Sequence, residues 1–499
     1  MSRIKNLAGQ TIWYGVSSIA ARFINYLLTP YLTLQLSKAD YGKVGLVYAA
    51  IPLLNVLFTY GFETAYFRFS QNSKNPSLTY STASISLIIS TIVFGIALWF
   101  NHDALTRFAG LEDVPILINL SILVIVMDTL TTLPFAKLRL DNKPQKFAFI
   151  RILSILVNIA ATVFFISYCP QILAKNPGSW ITFFYSSGVN PVVYIVLANV
   201  IQSAITLLLL LGEIGSVKIA FDKKLWWAMM LYSLPLVVAG MGGMINETFD
   251  RIMLRWWVPG TITYKEEQVG VYNACYKLAI LISLFIQAFK MAAEPFFFKQ
   301  AEGQNAQRTY ARVMKFFVIT VAFMFLVVAL FLPVWRYFIA PKHWEGLKVV
   351  PILLLANIFL GIYYNLSIWY KLGNRTMAGA YITLFGAGIT LLINWLFIPR
   401  YGFLACAWAT LLCYATMMVT SFIWGQRKYR IPYAWKKLLA YIAVVVLLYL
   451  VHAGITTLLP NLYFHLILAA LFLGAFGWLV VMAEKSELKK LPVFSRLLK

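Results

Sequence analysis

The stretch LLAYIAVVVLLYLVHAGITTLL, residues 438–459, contains no Lys, Arg, Asp or Glu. A helix crossing the hydrocarbon core of a bilayer needs about 20 predominantly apolar residues, and this segment meets that length. A second such segment, LYFHLILAALFLGAFGWLVVMA at residues 462–483, follows it immediately. Carried back toward the N-terminus, the same ruler gives about fourteen spans. The first six run near 11–36, 44–66, 80–100, 115–136, 147–168 and 190–212. The next six run near 226–249, 268–296, 313–339, 347–370, 378–398 and 402–424. The pair quoted above completes the set. The expected fold class is therefore an all-α integral membrane protein with no soluble domain of useful size. Met1 to Gln10 lead directly into an apolar stretch longer than a signal-peptide core, so the N-terminus reads as a first span and not as a cleaved leader.

Composition agrees. Of 499 residues, 61% are hydrophobic and 12% are charged, where soluble domains carry roughly 25% charged residues; mean hydropathy is +0.76. The net charge is +24, but the cations sit in short clusters between apolar spans, which argues for membrane loops and against nucleic acid as a partner. With the N-terminus inside, about 28 of the Lys and Arg residues fall in inside segments and about 11 in outside loops, which favours cytoplasmic termini. The heaviest inside clusters are Lys137, Arg139, Lys143, Lys146 and Arg151, then Arg427, Lys428, Arg430, Lys436 and Lys437. Trp226–Trp227 and Trp256–Trp257 sit at span ends, as in an interfacial aromatic belt.

Several function classes are excluded. The longest outside loop, near Cys169 to Val189, leaves no room for an external catalytic domain. No HExxH, P-loop or GxGxxG opening a βαβ unit occurs, so the chain reads as a transporter and not an enzyme, with no cofactor. Coupling to an ion gradient or the membrane potential stays open. Cys169, Cys275, Cys406 and Cys413 form no CxxC pair and read as packing residues. The four histidines have no metal-ligand spacing.

A charge at the bilayer centre costs at least about 2.5–3.5 kcal/mol and requires a partner or a wet cavity, so the charges inside spans carry the functional reading. Arg22 and Asp128 lie at similar depths in spans one and four; they form either a structural pair or a cation facing a central cavity. Lys277 is mid-depth in the eighth span with no acid three or four residues away, and reads as a cavity cation for an anionic substrate. Lys290 has Glu294 at i+4. Glu247, Asp250 and Arg251 form either an outer gate or a solvated helix end. Glu63 either gates or is a structural acid. Arg22, Lys277 and Arg251 are the candidate substrate contacts; Glu63, Asp128, Asp250, Lys290 and Glu294 are the candidate gating or coupling groups. The segment Gly61-Phe62-Glu63-Thr64-Ala65-Tyr66-Phe67-Arg68 is echoed by Ala293-Glu294-Pro295-Phe296-Phe297-Phe298-Lys299 six spans later, as expected of two parallel six-helix lobes. The lobes would occupy 1–215 and 216–430, with a C-terminal helix pair and tail in 431–499.

Several stretches resemble the bacterial polysaccharide-transport, O-antigen-type flippases of the multidrug/oligosaccharidyl-lipid/polysaccharide exporter superfamily. These are Leu36-Ser37-Lys38-Ala39-Asp40-Tyr41-Gly42, Gly61-Phe62-Glu63-Thr64-Ala65, Leu133-Pro134-Phe135-Ala136-Lys137-Leu138-Arg139, Asp250-Arg251-Ile252-Met253-Leu254, and Gly270-Val271-Tyr272-Asn273 with Lys277. Their order and spacing carry the likeness. The resemblance implies two lobes in a V around a cationic cavity. It also implies alternating access and transfer of an undecaprenyl-pyrophosphate-linked oligosaccharide across the bacterial cytoplasmic membrane for surface polysaccharide or lipopolysaccharide synthesis. Partners would be membrane lipids and a polysaccharide polymerase or other assembly proteins, and a monomer suffices. A lipid II flippase and a multidrug antiporter of the same superfamily are the alternatives.

Overall fold

The structure is a computed structural model that describes residues 20, 22–71, 73, 75–300, 305–373, 375–459 and 461–488. Among the described residues there is no strand, and thirteen helices are long and apolar enough to cross a membrane. They are α1 Lys38–Gln71, α2 Pro76–Phe100, α3 Ile116–Leu140, α4 Pro144–Lys175, α5 Pro191–Leu209, α6 Lys223–Trp257, α7 Ile262–Met291, α8 Ala306–Ala329, α9 Pro341–Leu372, α10 Met377–Tyr401, α11 Phe403–Lys428, α12 Trp435–Leu458 and α13 Leu462–Glu487. The start of the expected first span, residues 11–19 and 21, lies outside the described residues, as does the reading of Met1 to Gln10. Its described end includes a short helix, Leu28–Gln35.

Local chemistry explains where these helices start and bend. Ser37 caps α1: its hydroxyl oxygen accepts from the Asp40 amide at 3.0 Å and its O–H donates to the Asp40 carboxylate at 2.6 Å, satisfying an otherwise orphaned donor. Asn75 and Asn190 cap α2 and α5, each followed by a proline at the first helical position, where the missing N–H costs nothing. Asp222 caps α6 through the amides of Lys224 and Leu225. Helix α1 breaks at Tyr60 and Gly61, whose φ values of 32° and 73° are left-handed; Gly61 tolerates this without strain. The break turns Glu63 off the axis of the preceding helix.

Two compact units emerge. The first comprises the described residues up to Ala274 together with Thr376–Cys413; the second comprises Cys275–Arg375 and the described residues from Tyr414 onward. In the first, α1 and α7 cross backbone to backbone. A Cβ on Gly42 would collide with the Glu266 carbonyl, and one on Gly270 would collide with the Lys38 carbonyl. Small residues permit such close approach in a membrane, where packing replaces the hydrophobic drive between helices. Beside the crossing, Lys43 is buried and pairs with Asp113, and its ammonium lies 3.6 Å from the buried Glu266.

In the second unit the C-terminal pair is bound by charge. Glu484, 2% exposed, takes Lys437 at 2.6 Å and the Tyr441 hydroxyl at 2.7 Å on one oxygen, and Lys315 at 2.8 Å on the other. Lys315 also meets Glu487 at 2.7 Å. This joins α8, α12 and α13. All four cysteines are buried thiols, in keeping with the packing reading. Cys169 lies inside α4, so the loop expected from Cys169 begins only at Asn176.

Candidate functional site

The first unit contains a polar cavity of about 480 Å³ lined from five helical segments. Each segment presents residues at helical spacing, three or four apart, so that they share one face. Arg22 and Asn25 come from the N-terminal segment, and Asn55, Thr59 and Glu63 from α1. Asp128, Thr131, Thr132, Phe135 and Arg139 come from α3, Arg151, Ser154 and Ile155 from α4, and Asn199, Gln202 and Thr206 from α5. A polar stripe on every contributing helix is the arrangement that encloses water within a membrane-embedded bundle.

Its charges are arranged, not scattered. Arg139 pairs with Glu63. Arg151 stacks its guanidinium 4.1 Å from the centre of the Phe135 ring, which fixes its approach to the cavity. Asp128 accepts a hydrogen bond from Ser203 at 2.6 Å, and Ser154 and Thr206 share one at 2.7 Å, which set the register between α3, α4 and α5. The charges of Arg139, Asp128, Glu63 and Arg22 all act on the Arg151 guanidinium. Three arginines against two carboxylates leave the cavity with an excess of positive charge.

The structure brings together three of the residues singled out in the sequence, Arg22, Glu63 and Asp128. It adds Arg139 and Arg151, which the sequence reading counted among the inside loop cations. Arg151 sits two turns into α4, and Arg139 is in the last turn of α3. The detectable signal was their register: Arg139 falls eleven residues after Asp128, three helical turns along the same face.

Asp250 and Arg251 belong to a cluster of their own. The seventh span was expected to end near residue 249, but α6 continues to Trp257, so these residues are not a solvated helix end. Asp250 is 1% exposed; it pairs with Arg251 at 3.0 Å and accepts from the Tyr272 hydroxyl at 2.6 Å. Arg251 also donates to the Glu247 backbone carbonyl at 2.9 Å. A doubly satisfied buried pair of this kind fixes the packing of α6 and α7.

Lys277 and Lys290 lie on α7 in the second unit. Lys277 is half-buried. Lys290 holds its ammonium 4.7 Å from the centre of the Tyr364 ring. The side chain of Glu294, and with it the expected i,i+4 pair, lies outside the described residues.

Comparison with known proteins bears on this geometry. A family model described as "Polysaccharide biosynthesis protein" matches residues 7–301. An uncharacterized membrane protein of Haemophilus influenzae is 20% identical over 72% of this chain and 81% of its own length. "Lsg locus putative protein 1" of the same organism is 20% identical over 58% of this chain and 65% of its own. Among solved structures, the lipid II flippase MurJ in an inward closed conformation superposes with a TM-score of 0.69 at 14% identity, covering 95% of this chain and 99% of that one. An inward-facing multidrug resistance MATE family transporter of the MOP superfamily superposes with a TM-score of 0.59 at 12% identity, over 87% and 96%. The expected fold class is thus the observed one: the chain has the all-helical fold shared by these transporters.

Proposed function

This chain belongs to the polysaccharide biosynthesis protein family, and from that premise we propose that it flips a lipid-linked oligosaccharide, carried on undecaprenyl pyrophosphate, across the bacterial cytoplasmic membrane. One observation carries the reading: Arg22, Arg139 and Arg151 converge on a polar cavity inside a membrane-spanning unit. Arginine presents a rigid fork of donors suited to phosphate oxygens and keeps its charge when partly buried. A pyrophosphate would neutralise the cavity's positive excess, while the polyprenyl tail stays in lipid. Glu63, already on Arg139, is the carboxylate that an incoming phosphate would displace.

In this reading Arg22, Arg139 and Arg151 hold the headgroup; Lys277 stays a candidate substrate contact and Lys290 a candidate gating group. Glu63 and Asp128 couple binding to movement. Asp250 and Glu294 stay candidates for gating, and Arg251 a candidate substrate contact. Lobes at 1–215 and 216–430 would alternate access, both termini would be cytoplasmic, and the product would feed surface polysaccharide or lipopolysaccharide assembly. The excess of arginine disfavours export of cationic drugs.

The test is the sidedness of the lipid-linked oligosaccharide in cells depleted of this protein. Accumulation on the cytoplasmic leaflet, relieved by the wild type but not by Arg151→Ala or Lys277→Ala at equal expression, is the expected result. Normal export by both variants would defeat the cationic-site reading. Retention of peptidoglycan precursor alone would assign the lipid II activity, and unaltered glycan export with raised sensitivity to cationic drugs would assign the antiporter.

A further inference from the structure

The cavity of the first unit carries more amide than a phosphate site needs. Asn25, Asn55, Asn199 and Gln202 all line it. Amides within membrane helices ordinarily serve as glue, hydrogen bonding one helix to the next. That explanation applies to none of Asn25, Asn55 and Gln202, whose side chains make no hydrogen bond to another described residue. Asn199 differs in an informative way. Its amide nitrogen donates both to the Tyr48 hydroxyl at 2.7 Å and to the Ile195 carbonyl at 2.9 Å. Both N–H groups are therefore committed, and the orientation of the amide is set. Its carbonyl oxygen is left as a fixed acceptor.

These groups are also placed apart from the Glu63–Arg139 pair. Asn199 precedes Thr206 by two turns of α5, about 10 Å at 1.5 Å per residue, and Asn55 lies in the part of α1 before the break at Tyr60 and Gly61, with Glu63 after it. Thr206 is level with Ser154, one turn from Arg151, through their shared hydrogen bond. The cavity thus has an ion-paired end and, about two turns away, an end rich in amides, where Asp128 is held beside Gln202 through Ser203.

We propose that the amide end is a subsite for an uncharged, hydroxyl-bearing sugar, the one joined directly to the pyrophosphate, and that Asn55, Gln202 and Asn199 set which sugar is accepted. The proposal rests on the flippase reading above. Its chemical basis is the donor and acceptor inventory. A sugar hydroxyl both donates and accepts, and a side-chain amide answers both roles. The fixed Asn199 carbonyl requires a donor, which a hydroxyl or an acetamido N–H supplies and a carboxylate does not. A phosphate at the arginines and a sugar two turns away match the layout of a glycosyl pyrophosphate.

The test uses the full-length protein in lipid nanodiscs and two probes: a polyprenyl pyrophosphate carrying one N-acetylhexosamine, and the same polyprenyl pyrophosphate without sugar. Asn55→Ala and Gln202→Ala are each expected to weaken binding of the sugar-bearing probe about three- to tenfold, the worth of one or two neutral hydrogen bonds. Binding of the bare carrier should not change. Neither substitution removes a hydrogen bond within the protein, so thermal midpoints should match the wild type. Arg151→Ala should weaken both probes alike. If the amide variants weaken both probes equally, lose thermal stability, or weaken neither, the sugar subsite is refuted while the flippase reading stands. If the wild type binds neither probe, both fall.

Discussion

Replacing Glu484 by alanine should destabilise the protein more than any other single carboxylate removal in the C-terminal pair. The carboxylate is 2% exposed and takes three donors, Lys315, Lys437 and Tyr441. Removing one partner of a buried pair costs about 3–5 kcal/mol because the remaining charge is stranded. Two features place the cost near the lower bound. Lys315 keeps Glu487 at 2.7 Å, and Lys437, with its side chain 40% exposed, rehydrates. Tyr441 alone loses its acceptor outright, a penalty of about 1–3 kcal/mol. The total is about 4–6 kcal/mol. Glu487 is the control: its side chain is 32% exposed and its second partner, Arg312, is 42% exposed, so Glu487→Ala should cost about 1 kcal/mol or less. The assay is the heat-denaturation midpoint of detergent-purified protein, read as the monodisperse fraction after heating, for both variants and for Lys315→Met alone and combined with Glu484→Ala. The double variant should be less damaged than the sum of the singles, with a coupling of about 1–3 kcal/mol. Equal midpoints for Glu484→Ala and Glu487→Ala, or strict additivity with Lys315→Met, would refute the view that charge anchors this helix pair.

Gly270→Ala should abolish recovery of monodisperse protein or lower its midpoint sharply, since the added Cβ meets the Lys38 carbonyl and neither backbone can yield; Gly454→Ala, with nothing near its Cβ, is the neutral comparison in the same size-exclusion assay. Lys43→Met leaves the buried Glu266 without its cation and should cost about 3 kcal/mol or more; replacing Glu266 by Gln in that background should recover part of the midpoint. Glu63→Gln should change transport more than stability, because both members of its pair with Arg139 are about a third exposed and such pairs contribute about 1 kcal/mol or less. An unstable but fully transporting variant would instead make Glu63 structural.

Most of the fold was legible because hydropathy is a one-dimensional property. A span needs only length and apolar content, so α2 through α13 appear in the sequence to within a few residues at most ends. The misplaced ends have physical causes. Helix α6 runs eight residues past its expected end because Asp250 and Arg251 satisfy each other, so the charges that would mark a water boundary are in fact buried. Cys169 was expected at the start of the outside loop, yet α4 passes through this point after widening into a π-helical turn at Phe164–Tyr168. The site was half legible. Arg22, Glu63 and Asp128 stand out as charges in apolar text. Arg139 and Arg151 sit near span ends, where the positive-inside count claims them. The neutral amides went unnoticed because Asn and Gln scarcely perturb a hydropathy window, and only three-dimensional convergence shows that they face one space.

The burial of Cys169, Cys275, Cys406 and Cys413, each with essentially no exposed surface, gives this chain an unusual experimental convenience. Water-borne maleimides have no native thiol to reach, so a reporter cysteine can be introduced without first stripping the protein of its own. One placed at Gly188, in the loop between α4 and α5, and one at Lys218, between α5 and α6, lie on connections separated by a single span. Impermeant reagent added to intact cells should therefore modify only one of the two, and which one it modifies assigns the direction of the two spans on either side of each connection.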